Sequence, residues 1–145
     1  MKVVRATETW QKAGAYYVRI QAMARQYNIN LREEFDEYDT SDTNYIVLLD
    51  KEFPVATCRL YGIDEDRAAI GRVVVLPEYR KRGLGSMVVK EAENWIKEQG
   101  YKKIVLESRD VAVGFYEKLG YIADFDRIIN GGTFTCIYME KNIDS

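Results

Sequence analysis

Two hydrophobic rhythms run along the chain. Lys2 to Ala6 forms a short apolar strand candidate, and Ala13 to Gln26 sets Tyr17, Ile20, Met23 and Ala24 at the i, i+3, i+4 spacing of a helix face. Thr7 or Thr9 is the expected N-cap. Asn28 to Asn44 holds neither period and reads as a loop or short helix. Tyr45 to Leu49, Val55 to Ile63 and Ala68 to Leu76 read as strands on tight turns at Asp50 to Pro54 and Asp64 to Asp66, which predicts an antiparallel meander. After Pro77 the helical period takes over. Leu84, Val88, Val89, Ala92, Trp95 and Ile96 recur on one face, and Gly100 fits the C′ position that ends the helix. Lys103 to Glu107 reads as a buried strand, and Asp110 as the cap of a short helix ending at Gly120. Tyr121 to Asp126 and Thr133 to Glu140 read as closing strands about a turn at Asn130-Gly131-Gly132. The predicted order, β-α-βββ-α-β-α-ββ, is a mixed α+β fold: a mostly antiparallel sheet flanked by helices, with one parallel crossover between residues 68 and 107.

Composition narrows the chemistry. The 145 residues, 47% apolar and 12% aromatic, suit one domain spanning residues 1–145. With 23 acidic and 21 basic residues the net charge is −2, so the broad positive field of a nucleic-acid binder is absent and any anion site must be local. There is no histidine, which excludes Ser-His-Asp and Cys-His nucleophiles and every His-ligated metal site; no metal is expected. Cys58 and Cys136 sit in apolar runs and read as reduced strand residues. The opening residues lack a signal-peptide core, and nowhere do about 18 apolar residues run together, so a cytoplasmic protein without membrane or nucleic-acid partners is expected.

The informative stretch is Val73 to Ser86. An apolar strand, Val73-Val74-Val75, leads through Leu76-Pro77 and the basic triplet Arg80-Lys81-Arg82 to Gly83-Leu84-Gly85-Ser86, where a helix begins. A helix start presents unpaired N–H groups and the positive end of its dipole, and glycine lets an anion approach the backbone. The pattern fits a phosphate cradle or a plain strand-to-helix turn. It is neither a dinucleotide fingerprint, because Val88 stands where a third glycine belongs, nor a P-loop.

Arg80-x-x-Gly83-x-Gly85 after Val73-x-Val75-Leu76-Pro77 resembles the coenzyme A signature of the Gcn5-related N-acetyltransferase (GNAT) superfamily. Val111 to Tyr121, with Phe115-Tyr116 and Gly120-Tyr121, resembles its A-x-x-F-Y-x-x-x-G-F/Y motif. Val18 to Asp39 and Ala56 to Leu60 are similar to the ElaA-like and YjcF-like bacterial members, so the likeness spans nearly the whole chain. The resemblance implies an acyl-CoA N-acyltransferase fold and acetyl-CoA as co-substrate, held by Val73, Val74, Val75, the loop from Arg80 through Ser86, Arg109 and Tyr116. It implies direct attack of an amine on the thioester, with Tyr116 protonating the departing thiolate. Arg109 stands where the family commonly has Asn or Gln, Cys136 where the subgroup often has His, and Gln26-Tyr27 where it often has Glu-Gln.

The acceptor side is less defined. Backbone N–H groups of Val73 to Val75 are candidates to polarise the thioester carbonyl. Glu33, Glu34, Asp36, Asp39 and Glu107 are candidate general bases, and the acidity of the 28–44 stretch points to a cationic or amine substrate. Glu33, Glu34, Asp36, Arg59 and Arg72 are the expected substrate contacts. Arg59 and Arg72 lie close to opposite each other on adjacent strands, where an ion pair with the acidic stretch competes with a grip on a substrate carboxylate. An amine N-acetyltransferase is the leading reading and a non-catalytic acyl-CoA-binding or interaction domain its rival; the closing strands could pair across a homodimer edge.

Overall fold

The computed structural model describes residues 1–130 and 132–143. Its strands are β1 (Lys2–Arg5), β2 (Asn44–Asp50), β3 (Phe53–Gly62), β4 (Arg67–Val75), β5 (Lys103–Arg109), β6 (Ile122–Asn130) and β7 (Thr135–Asn142). The α-helices are α1 (Thr9–Arg19), α2 (Leu31–Glu34), α3 (Leu84–Glu98) and α4 (Val113–Lys118). One seven-stranded sheet has the order β1-β2-β3-β4-β5-β7-β6, antiparallel throughout except between β4 and β5. This is the predicted mixed fold. Gly131, within the predicted 130–132 turn, lies outside the described residues.

Helix α1 starts earlier than its apolar period suggested, and its cap is Glu8 rather than Thr7 or Thr9. The reason is local: the Gln11 side-chain oxygen accepts the N–H groups of both Thr7 and Glu8 at 2.9 Å, fixing the turn one residue before Thr9. Its buried residues are Ala15, Val18 and Arg19, with Ala22 buried in the stretch that follows, whereas Tyr17 is more than a third exposed. The small side chain of Ala15 lets the helix approach β2, where it packs with Tyr45, Val47 and Leu49. Beyond Arg19 the helix widens into a π-helical stretch, Ile20–Arg25, ending beside the cavity described below.

Helix α3 covers the opposite face. Leu84, Val88, Val89, Ala92 and Ile96 pack with Ile46, Leu48, Cys58, Leu60, Ile70 and Ile104, and Cys58 donates to the Val88 carbonyl at 3.6 Å. Gly100, at φ 93°, is the predicted left-handed C′ residue. Asp110 does not cap α4: it opens a single 3-10 turn, Asp110–Ala112, and its carboxylate accepts the Val111 N–H at 2.8 Å. An aspartate accepting from the very next residue is spent on its own turn, so the helix starts three residues later. Strand β6 runs to Asn130, longer than predicted, past an irregularity between Asp124 and Ile128 that the alternation of its side chains concealed.

Candidate functional site

The site follows from a failure of pairing in the sheet centre. Strands β4 and β5 pair only at Arg67↔Lys103, Ala68↔Ile104 and Ala69↔Val105, after which they part. Ile70 to Val75 on one side and Leu106 to Arg109 on the other thus line an open cleft. Two cavities meet there. One, of about 580 Å³, runs from the cleft to the start of α3 and is lined by residues of β4, α3 and α4. The other, of about 650 Å³, opens beside the 28–44 stretch and the irregular part of β6. Both are lined by Ile70, Gly71, Arg72, Leu106 and Glu107.

At the far end of the first cavity stands the basic loop. Lys81 at φ 65° and Gly83 at φ 74° are both left-handed, turning the chain into α3 with no side chain among the described residues capping its first N–H groups. A Cβ at Gly83 would meet nothing within 4 Å, so backbone and open space face each other there. Gly85 has a different reason. A Cβ there would touch the Phe115 ring at 3.4 Å and Val75 at 3.9 Å, so this glycine serves the packing of α3 against α4 rather than the approach of an anion. The basic triplet also divides. Arg80, exposed, folds back along the chain, donating to the Val75 carbonyl at 3.1 Å and to Gln26 at 3.0 Å, and Arg82 lies over the Tyr79 ring. Lys81 is exposed, without a salt bridge among the described residues. Leu84 is a core residue, and Ser86 donates its hydroxyl to the Gly83 carbonyl at 2.8 Å.

At the cleft end sits Tyr116, 8% exposed and packed edge-on against Phe115 and Tyr121. Burial, with the neighbouring Cys58 and Cys136 thiols, holds its hydroxyl pKa well above the usual phenol range, so it stays protonated at any physiological pH. Cys136 lies directly across from Arg109 in the β5–β7 register, and burial raises its thiol pKa too. Arg109 is held by aromatic faces rather than carboxylates. Its guanidinium lies 4.0 Å from the Phe134 ring centroid and 5.3 Å from that of Tyr27, and its Nε is buried without a partner among the described residues. Tyr27 and Cys136 line the first cavity, and Gln26 reaches it only by accepting from Arg80, which lines it.

The acidic stretch is built differently. Arg19, fully buried on α1, donates to Glu34 at 2.9 Å and to Asp39 at 2.6 and 3.0 Å. Arg59 donates to Asp36 and Asp39 at 2.8 Å each, and Arg72 reaches Asp36 at 3.1 Å and Glu34 at 3.4 Å. Burial pushes the Asp39 carboxyl up, but hydrogen bonds and charge from Arg19, Arg59 and Tyr45 outweigh it and leave the pKa at about 2. Asp36 is lowered by the same contest between burial and Arg59. Arg59 pairs across strands with Gly71, not Arg72, because a bulge between Thr57 and Arg59 shifts the register and Arg72 takes φ 52°. Three of the six carboxylates of the stretch, Glu34, Asp36 and Asp39, are thus matched by arginines, while Glu33, Glu37 and Asp42 stay exposed. Sequence reasoning missed Arg19; the signal was an arginine in the buried stripe of α1, one residue after Val18.

Of the expected substrate contacts, Asp36, Arg59 and Arg72 line the second cavity. Glu34 is sealed in the arginine network, and exposed Glu33 meets Thr133 at 3.4 Å. Glu107 is the one carboxylate that lines both cavities, and it makes no hydrogen bond or salt bridge among the described residues.

A parallel strand pair splayed over a left-handed, uncapped helix start is the scaffold of an acyl-CoA N-acyltransferase fold. The comparisons name the family: residues 6–121 match the family model described as Acetyltransferase (GNAT) family, and the chain belongs to it. It is 33% identical over 147 residues to the Bacillus subtilis protein BSU40680, whose name assigns it provisionally to the acetyltransferases, covering 100% of this chain and 99% of that one. To YjcF of Bacillus subtilis, named as an uncharacterized N-acetyltransferase, it is 31% identical, covering 83% and 85%. Among solved structures it is similar to Escherichia coli ElaA (TM-score 0.83, 18% identity, 97% and 99% covered). It is also similar in fold to an aminoglycoside 6′-N-acetyltransferase complexed with coenzyme A (TM-score 0.78, 15% identity, 100% and 98% covered).

Proposed function

We propose that residues 1–145 form one N-acetyltransferase domain that passes the acetyl group of acetyl-CoA to a primary amine by direct attack. The observation carrying this is the cleft itself, where β4 and β5 part and a cavity from each side reaches the same five residues. The first cavity fits coenzyme A: an open Gly83 backbone, an uncapped start to the 15-residue α3 and exposed Lys81 suit its phosphates, and the exposed edges of Val73 to Val75 suit its amide-bearing arm. Arg80 anchors the loop to the end of β4, and Arg109 would face that arm from the other wall.

When bound, acetyl-CoA supplies the thioester whose C–S bond breaks as the C–N bond to the amine forms. Glu107 takes the proton the amine must lose, because it is the free carboxylate at the junction, while Glu34, Asp36 and Asp39 are held by arginines. Tyr116 donates a hydrogen bond to the departing thiolate; burial keeps the phenol protonated but makes it a poor proton source, so it stabilises the developing charge and the thiolate takes its proton from solvent as it leaves. Strand N–H groups between Val73 and Val75 polarise the thioester carbonyl.

Thermal stabilisation by acetyl-CoA is the direct test. Ligand at 100 times its dissociation constant should stabilise the fold by about 2.7 kcal/mol. Lys81→Glu with Arg82→Glu should abolish that shift, a cleaner control than replacing Gly83, whose φ of 74° penalises any side chain. Tyr116→Phe should keep the shift and lower kcat at least tenfold. A shift with no turnover on any amine, in either protein, would favour the non-catalytic binding domain.

A further inference from the structure

The second cavity carries four arginines and two carboxylates: Arg59, Arg67, Arg72 and Arg127 against Asp36 and Glu107. Pairing removes most of them from consideration. Arg59 is matched by Asp36 and Asp39, Arg72 by Asp36 and Glu34, and Arg67 by Asp64 at 2.8 Å. Among the described residues that leaves one cation and one anion without an ionic partner, Arg127 and Glu107.

Their placement is specific. Tyr138 stands directly across from Glu107 in the β5–β7 register, so both side chains project from the same sheet face. The Arg127 guanidinium, on the irregular segment of β6, lies 3.6 Å from the centroid of the Tyr138 ring. The free carboxylate and the free guanidinium thus flank one aromatic side chain. Beside the paired arginines, the same cavity is lined by Tyr38 and Tyr61, stacked with centroids 5.1 Å apart, and by Ile128.

We infer that the acceptor is a small zwitterion, an amine carrying an anionic group on the same molecule, with a free α-amino acid bearing an apolar side chain as the simplest case. This rests on the transferase reading above. The ammonium faces Glu107, which relieves it of its proton at the cleft, and the carboxylate faces Arg127, whose planar donors suit it. A diamine or polyamine would set its second cation against an unpaired guanidinium. A simple amine would leave that guanidinium without a counter-charge. Arg127 is therefore a specificity determinant outside the reacting atoms.

The test uses the full chain loaded with acetyl-CoA and follows thiol release with leucine, leucinamide, isoamylamine and putrescine. In parallel, thermal stabilisation of the CoA-bound protein is followed with the same four compounds. Leucine should have the lowest KM and the largest stabilisation. Arg127→Met should raise the KM for leucine about tenfold or more and leave kcat, the unfolding temperature and the kcat/KM for isoamylamine nearly unchanged. Arg127→Lys should recover part of the loss. Lower KM for isoamylamine or putrescine than for leucine, an equal effect of Arg127→Met on leucine and isoamylamine, or no stabilisation by leucine would each overturn the inference while acetyl-CoA binding stands. No stabilisation by acetyl-CoA itself would overturn the transferase reading, and this inference with it.

Discussion

The two walls of the cleft use charge in opposite ways. On the side of α1 and the 28–44 stretch, Arg19, Arg59 and Arg72 are each matched to two carboxylates, most of these groups buried or partly buried. On the side of β5, β6 and β7, Glu107 and Arg127 have no ionic partner among the described residues, and Arg109 rests on aromatic rings. Removing one member of a buried pair strands the others in low dielectric, so the first wall is committed to structure. Charges that fold without partners are available to partners that arrive later. Composition cannot separate these roles, because both walls contribute the same residue types.

Arg19→Met should be the most damaging change. It leaves the Glu34 and Asp39 carboxylates without their main counter-charge, and breaking a buried pair this way costs roughly 3–5 kcal/mol. Urea denaturation measures it directly. Arg109→Met, in the other wall, should cost less than about 1 kcal/mol of stability, since it strands no carboxylate. If the two variants proved equally destabilising, the division between a structural and a chemical wall would fail.

Glu107→Gln should separate chemistry from stability. Loss of a general base lowers rate by roughly 100-fold or more, while an exposed carboxylate without a partner contributes within about 0.5 kcal/mol to folding. The pH profile gives the sharper reading. As pH rises toward the amine's own pKa, the acceptor sheds its proton unaided, so the ratio of wild-type to variant kcat/KM should shrink between pH 7 and 9. A constant ratio across that range would mean that Glu107 positions the acceptor without taking its proton.

How much of this was visible in the sequence depends on how local each signal was. The order of strands and helices was legible because each element carries its own period, and the start of α3 because its glycine, its basic triplet and the strand before it are contiguous. The cap of α1 was not, because Gln11 outcompetes the threonines through a contact only the folded turn permits. Nor was the register of Arg59 against Arg72, because a bulge shifts it without leaving a mark in the alternation. The five candidate bases were equivalent in sequence. Three-dimensional pairing distinguishes them, and Arg19, which neutralises two of the five, lies 15 and 20 residues from its partners.

A last effect concerns the structural wall alone and follows from the sign of its titration. Asp39 has a folded pKa of about 2 against an ordinary value of 3.8. A depressed carboxyl contributes stability that is fully present above its unfolded pKa and is lost as pH falls through the folded one. Its side chain is only 10% exposed, so solvent screens it little, and the shift corresponds to about 2 kcal/mol. Unfolding free energy measured by urea should therefore be level in this respect above about pH 5 and fall between about pH 4 and pH 2. Asp39→Asn should start lower by a similar amount and show a shallower fall over the same interval. If Asp39→Asn left the acid slope unchanged, the arginine network would not be what holds that carboxylate ionised, and its claim to be the structural half of the cleft would lose its main support.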